Sequence, residues 1–140
     1  MTLRGSVPVA NEPQMWLWVD REVLLALHDE SLSEHGGGVG LRDAGLLESA
    51  LTRAENLAVY GKPDHADLAA VYGYGLAKNH AFVDGNKRAA FLAIGLFLYA
   101  NGFRLTATQA DATQTIISLA AGQLSEEALA AWIRTNSSPR

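Results

Sequence analysis

Apolar residues recur at three- and four-residue spacing along most of the chain, and short polar or glycine-bearing stretches break them up. This pattern predicts about six helices and no strand. Asp20 is placed to cap a first helix whose Val23, Leu24, Leu27 and His28 share one face, and which should stop at the glycines 36–38. A second helix is expected over Asp43 to Arg53, with Asp43 at its start and Leu46, Leu47, Ala50 and Leu51 on its apolar side. After Gly61-Lys62-Pro63, Asp64 and Asp67 have the spacing of a capping box. They open a third helix with the stripe Leu68, Val71, Tyr72, Gly75, Leu76 and Asn79, ending at or just before His80.

The segment from about Asn86 to Ala100 is apolar on nearly every side and reads as the central buried helix. If Leu96 is fully buried there, Leu96→Ala should cost about 2–5 kcal/mol. Asn101-Gly102 closes the helix. Thr108 with Asp111, and then Ser125 ahead of Glu126 and Glu127, open two last helices. Trp16 and Trp18, two residues apart, suggest an extended arm with one or both rings packed on the domain. The expected organisation is therefore all-α: a loosely ordered lead-in over 1–15, one helical domain over 16–135 and a flexible polar tail over 136–140.

Composition narrows the classes of function. At 140 residues and 49% hydrophobic content the chain can build one core without disulfides, and with no cysteine it has no thiolate chemistry. The balance of 11 Lys plus Arg against 15 Asp plus Glu, a net charge of -4, argues against direct binding to nucleic acid or an anionic membrane. Ala89 to Ala100 is the longest apolar run, shorter than the roughly 20 residues that cross a bilayer. The N-terminal residues are too polar for a signal peptide, so a cytoplasmic location is expected.

Candidate chemistry sits in one block, His80-Ala81-Phe82-Val83-Asp84-Gly85-Asn86-Lys87-Arg88. If the central helix begins here, its first free backbone N–H groups and its dipole favour an anion. Gly85 allows close backbone approach, Asn86 offers an amide donor, and Lys87 and Arg88 neutralise phosphate charge. Asp84 supplies a hard oxygen for Mg2+ beside a nucleoside triphosphate. His80, a residue type that titrates near neutrality, can take a proton from an attacking hydroxyl. Phe82 suits a buried anchor better than a base-stacking residue. The alternative is a structural turn in which Asp84 caps the helix and Arg88 pairs with a distant carboxylate. His28, His35 and His65 lack metal-ligand spacing, and the glycines 36–38 read as a helix terminator rather than a phosphate loop.

The segment HAFVDGNKRAA at 80–90 resembles the active-site motif of the Fic/Doc superfamily, and its Asn-Lys-Arg ending is similar to the death-on-curing (Doc) toxin branch. LHDE at 27–30, GLRDAGLLESAL at 40–51, the turn at 61–63 and FLAIGLFLYANGFRLTAT at 91–108 extend the likeness over about residues 16–135. The resemblance implies a Fic fold of about six helices. His80 would activate the target hydroxyl, Phe82 anchor the loop and Asp84 serve Mg2+, while Gly85, Asn86, Lys87 and Arg88 hold ATP phosphates. It further implies a protein kinase acting on a threonine of elongation factor Tu, and neutralisation by a Phd-like antitoxin whose C-terminal segment folds as a helix in a groove. AMP-transferring Fic enzymes carry glycine where Lys87 stands and arginine where Phe91 stands, so AMP transfer is the alternative activity. A catalytically idle partner-binding module is the third. The inhibitory pattern [S/T]xxxE[G/N] is not met at Leu51 to Asn56, which points to a separate inhibitor.

Overall fold

The computed structural model describes residues 15–140, so all but Met15 of the expected lead-in lies outside the described residues. Among the described residues there are six helices and one two-stranded sheet: α1 Arg21–His35, α2 Ala44–Tyr60, α3 His65–Asn79, α4 Asn86–Ala100, β1 Phe103–Leu105, α5 Gln109–Ala120, α6 Glu126–Thr135 and β2 Ser137–Pro139. The helix starts are set by short polar side chains. Asp20, Asp43, Asp64, Thr108 and Ser125 each accept from first-turn N–H groups, and Asp64 with Asp67 closes a reciprocal box. Helix α2 runs about two turns past the expected Arg53, because the chain continues without a breaker until Gly61.

The position of the central helix differs from the sequence reading. Helix α3, not α4, occupies the middle and packs on α2, α4, α5 and α6. Its small residues explain the placement. A Cβ on Gly73 would lie 2.6 Å from Cδ1 of Ile94, so α4 sits closer to α3 than any larger residue would allow. Helix α4 buries Ala89, Ala90, Ala93, Ile94, Phe97 and Leu98 against it, but leaves Phe91 and Tyr99 exposed and Leu96 only partly covered. An apolar segment of this length does not reveal which side lacks a neighbour.

Both rings of the N-terminal arm pack on Phe97, with centroids 5.8 Å away for Trp16 and 6.1 Å for Trp18. Asn101 ties the arm down, its side chain pairing with the Leu17 backbone at 2.9 Å in both directions. Tyr72 accepts from the Val19 N–H at 3.1 Å, and burial pushes its hydroxyl up to about 12.

Within the stretch read as a flexible tail, Ser137–Pro139 form a strand. Strand β2 pairs antiparallel with β1, Phe103 opposite Pro139 and Leu105 opposite Ser137. Beyond it the Arg140 guanidinium lies 4.0 Å above the Tyr99 ring. Beside the sheet, His65 stacks on Phe103 at 3.7 Å and its Nε2 lies 3.1 Å from the Ser137 hydroxyl. Arg134 forks onto Asp64 at 2.7 and 3.0 Å and reaches Asp67 at 2.9 Å, which holds the Asp64 carboxyl well below the usual carboxylate range. The local reason is compositional: Ser137 and Ser138 are polar but unobstructed, and the edge of β1 offers them backbone partners.

Candidate active site

The block from His80 to Arg88 spans the junction of α3 and α4, so chain connectivity alone brings His80, Asp84, Gly85, Asn86, Lys87 and Arg88 together. His80 ends α3 in the left-handed region, φ 54° and ψ 49°, with its side chain exposed. Phe82 turns inward, 2% exposed, and serves as the buried anchor. Gly85 at φ 73° then starts α4.

Two neighbouring segments grip this junction. The Nε of Arg42 donates to the His80 carbonyl at 2.7 Å, and the backbone N–H groups of Arg42 and Asp43 both donate to the Ala81 carbonyl, at 2.8 and 3.0 Å. Leu41 bridges Phe82 in antiparallel fashion, and the Val83 N–H donates to the Gly40 carbonyl at 3.1 Å. Gly36 does end α1 as expected, but residues 38–43 then run as an extended brace along the motif. From the other side His28, 1% exposed, donates from Nε2 to the Asp84 carbonyl at 3.0 Å, which places a proton on that nitrogen. Its ring packs on Phe82 with centroids 3.9 Å apart.

Sequence reasoning gave His28 no part in the site, nor Arg42, Gly38 and Gly40. For His28 the available signal was a polar residue on the apolar face of α1. Arg42 had only the signal of an arginine next to the Asp43 cap. The backbone contacts of Gly38 and Gly40 leave no side-chain signature.

Asn86 has a different task from the one its amide suggested. Its Oδ1 accepts from the Phe82 N–H at 3.0 Å and its Nδ2 donates to the Phe82 carbonyl at 3.1 Å, so the side chain is a clasp across the loop. What Asn86 leaves without a helical partner is its backbone N–H. Helix α4 is the one helix among the described residues without a side-chain cap, and the N–H groups of Asn86, Lys87 and Arg88 precede the first internal bond, Ala89 N–H to the Gly85 carbonyl at 2.9 Å.

The capped-turn alternative does not match this geometry. Asp84 bonds the N–H of Gly85, the residue before the helix, at 2.8 Å and the N–H of Gly38 at 3.3 Å, and caps no first-turn group. Arg88 and Lys87 are exposed and form no ion pair with a described carboxylate. A helix N-terminus without a side-chain cap, carrying two cations that no carboxylate among the described residues neutralises, presents positive potential from three backbone donors and two side chains.

Among the described residues no group of three or more histidines and carboxylates is set to hold a metal. The lone, exposed carboxylate of Asp84 nevertheless fits Mg2+, which takes one or two protein oxygens and fills the rest of its shell with water and phosphate oxygens.

A family model described as Fic/DOC family matches residues 18–98, from the tryptophan arm through the buried part of α4. "Toxin Doc" of Mycolicibacterium smegmatis is 42% identical over 93 residues, covering 64% of this chain and 68% of that protein. "Protein kinase doc" of Escherichia phage P1 is 32% identical over 117 residues, covering 83% of this chain and 92% of that protein.

Proposed function

This chain belongs to the Fic/DOC family, on its Doc-toxin branch, and from that membership we propose that it is a toxin kinase that moves the terminal phosphate of ATP to a protein hydroxyl. The observation that carries the reading is the uncapped start of α4, with Lys87 and Arg88 free of any ion pair among the described residues, placed six residues after the exposed His80. A relative named as a protein kinase adds to it.

In the proposed reaction His80 accepts the proton of a threonine or serine hydroxyl as its oxygen attacks the terminal phosphorus. The bond from that phosphorus to the bridging oxygen breaks, and ADP leaves. The backbone N–H groups of Asn86, Lys87 and Arg88 and the two cationic side chains bear the charge that spreads over the transferring group. Mg2+, held at Asp84, supplies further charge neutralisation when bound. Gly85 lets the phosphates approach the backbone, and the Asn86 clasp, His28 and Arg42 keep the loop at one pitch.

Elongation factor Tu is the proposed target, and translation arrest the consequence. A Phd-like antitoxin is the proposed partner, its C-terminal segment folding as a helix on this domain. ATP labelled at the gamma or alpha phosphate, incubated with the protein, Mg2+ and translation factors, tests the reading. Gamma label on a threonine of elongation factor Tu is expected. Alpha label on protein would instead show AMP transfer, and no transfer of either label would leave a partner-binding module.

A further inference from the structure

A general base is ordinarily oriented by a further group that bonds it, and the ring of His80 has no such group among the described residues. The rings of His28, His35 and His65 each lie 3.0–3.1 Å from an oxygen, whereas the exposed imidazole of His80 meets no described partner. Its direction is therefore set by the backbone that carries it. That backbone is unusual in turn: at φ 54° and ψ 49°, His80 is the one non-glycine residue with a positive φ among the described residues.

The end of α3 also lacks the closure found elsewhere in the fold. After each of the other five helices the capping residue returns its own N–H to a carbonyl of the last turn, and His80 does not. Arg42 closes the helix from outside. Its Nε donates to the His80 carbonyl at 2.7 Å and its Nη2 to the Asn79 carbonyl at 3.4 Å, so one planar fork spans both peptide groups that flank the histidine. The orientation of those two groups defines φ and ψ of His80, and with them the direction of its Cα–Cβ bond. The guanidinium pairs with no described carboxylate, and its charge lies against the negative end of α3.

We propose that Arg42 is a positioning residue for the transfer reaction: it clamps the two peptide groups around His80 and thereby aims the imidazole at the substrate hydroxyl, touching neither the hydroxyl nor ATP. This rests on the reading of His80 as the base. The clamp asks for a guanidinium in particular, because a lysine in its place keeps the charge but not the rigid fork. A misaimed base loses rate rather than binding, since a displacement of about 1 Å can cost about 10²-fold.

Arg42→Ala and Arg42→Lys in the transfer assay with gamma-labelled ATP test the assignment. In Arg42→Ala, kcat should fall by about 10- to 100-fold, with KM for ATP and for the protein substrate each within about two-fold of the parent. Guanidinium ion, added well below the concentrations that unfold proteins, should restore part of that rate, and ammonium ion, equal in charge but without the fork, should not. Arg42→Lys should fall between Arg42→Ala and the parent. In NMR spectra of histidine-labelled protein the His80 signals should move or broaden in Arg42→Ala, while those of His65, at the other end of α3, stay in place. Melting curves check that both variants fold, and Arg42→Lys carries the test if Arg42→Ala does not.

Unchanged kcat in the folded variants, or equal rescue by ammonium, overturns the clamp while His80 stands as the base. So do His80 signals that do not move. A raised KM for the protein substrate at unchanged kcat overturns it as well, and assigns Arg42 to substrate docking. A parent chain that transfers no label overturns the kinase reading itself, and this inference with it.

Discussion

Replacing glycine by alanine at two positions near and in α4 should have opposite signs, and the pair tests the account of the motif junction. At Gly85 the backbone φ is 73°, where an alanine costs about 1–2 kcal/mol. A Cβ there would also lie 2.8 Å from His28 Nε2 and 3.2 Å from Leu32 Cδ2, so the imidazole must move. Moving it sacrifices the hydrogen bond to the Asp84 carbonyl, about 1 kcal/mol, and strains a packed ring, about 1 kcal/mol more. Because ring and loop shift together these do not add fully, and Gly85→Ala should cost about 3 kcal/mol.

At Gly95 a Cβ meets nothing within 4 Å, and the position is an exposed one inside the same helix. Gly95→Ala should therefore gain about 0.5–1 kcal/mol from helix propensity alone. Urea unfolding followed by circular dichroism gives both values from midpoints at constant slope. In the double variant His28→Ala with Gly85→Ala, the alanine at 85 should cost less than it does alone, because its obstacle is gone. A Gly85→Ala protein within about 0.5 kcal/mol of the parent, or a cost unchanged by removing His28, would refute the claim that His28 and the left-handed turn fix the loop.

Other expectations follow from single contacts. Burial is the leading cause that lowers the pKa of His65 below its ordinary 6.5, against the opposing pull of Asp64 and Asp67. Its contribution to stability is therefore complete above about pH 6.5 and falls away as pH drops toward the depressed value, so urea midpoints should decline over that window and decline less in His65→Gln. Leu98→Ala should cost about 2–5 kcal/mol, whereas Leu96→Ala should cost less than 2 kcal/mol because Leu96 is only partly covered. Equal losses in denaturant curves would contradict that burial pattern. His80→Asn, chosen because asparagine tolerates the left-handed backbone, should abolish gamma-label transfer with the melting temperature unchanged. Full transfer by that variant would remove His80 from its role as base.

Most helix boundaries were legible because they depend on local chemistry. Asp20, Asp43, Asp64, Thr108 and Ser125 satisfy N–H groups within three residues of themselves, so the sequence around each carries the whole signal. The rank of the helices was not local. Helix α4 is the more apolar segment, yet α3 is central because Ala69, Ala70, Gly73 and Gly75 let neighbours close in on several sides. Mean hydropathy registers what a residue is, whereas centrality depends on how little room it takes. The pairing of Ser137–Pro139 with Phe103–Leu105 was hidden for a related reason: strand partners far apart in sequence contribute hydrogen bonds through backbone atoms that every residue shares.

The same distinction separates the legible and hidden parts of the site. His80, Asp84, Lys87 and Arg88 were visible because an unusual set of ionisable groups occupies nine consecutive positions. The residues that hold them in place act through carbonyls and N–H groups: Arg42 on His80 and Ala81, His28 on Asp84, Gly38 on the Asp84 carboxylate, and Asn86 across Phe82. Asn86 shows why this matters for function. An amide spent on a phosphate would leave the Phe82 backbone unsatisfied at the point where the loop is buried, a cost of about 1–3 kcal/mol. Spent on the loop, it leaves the donors of α4's first turn free and fixes where they sit. The proposed anion site, built from an uncapped helix, needs some other group to hold the turn in place of the missing cap, and here the asparagine next to the glycine supplies that hold from inside the helix.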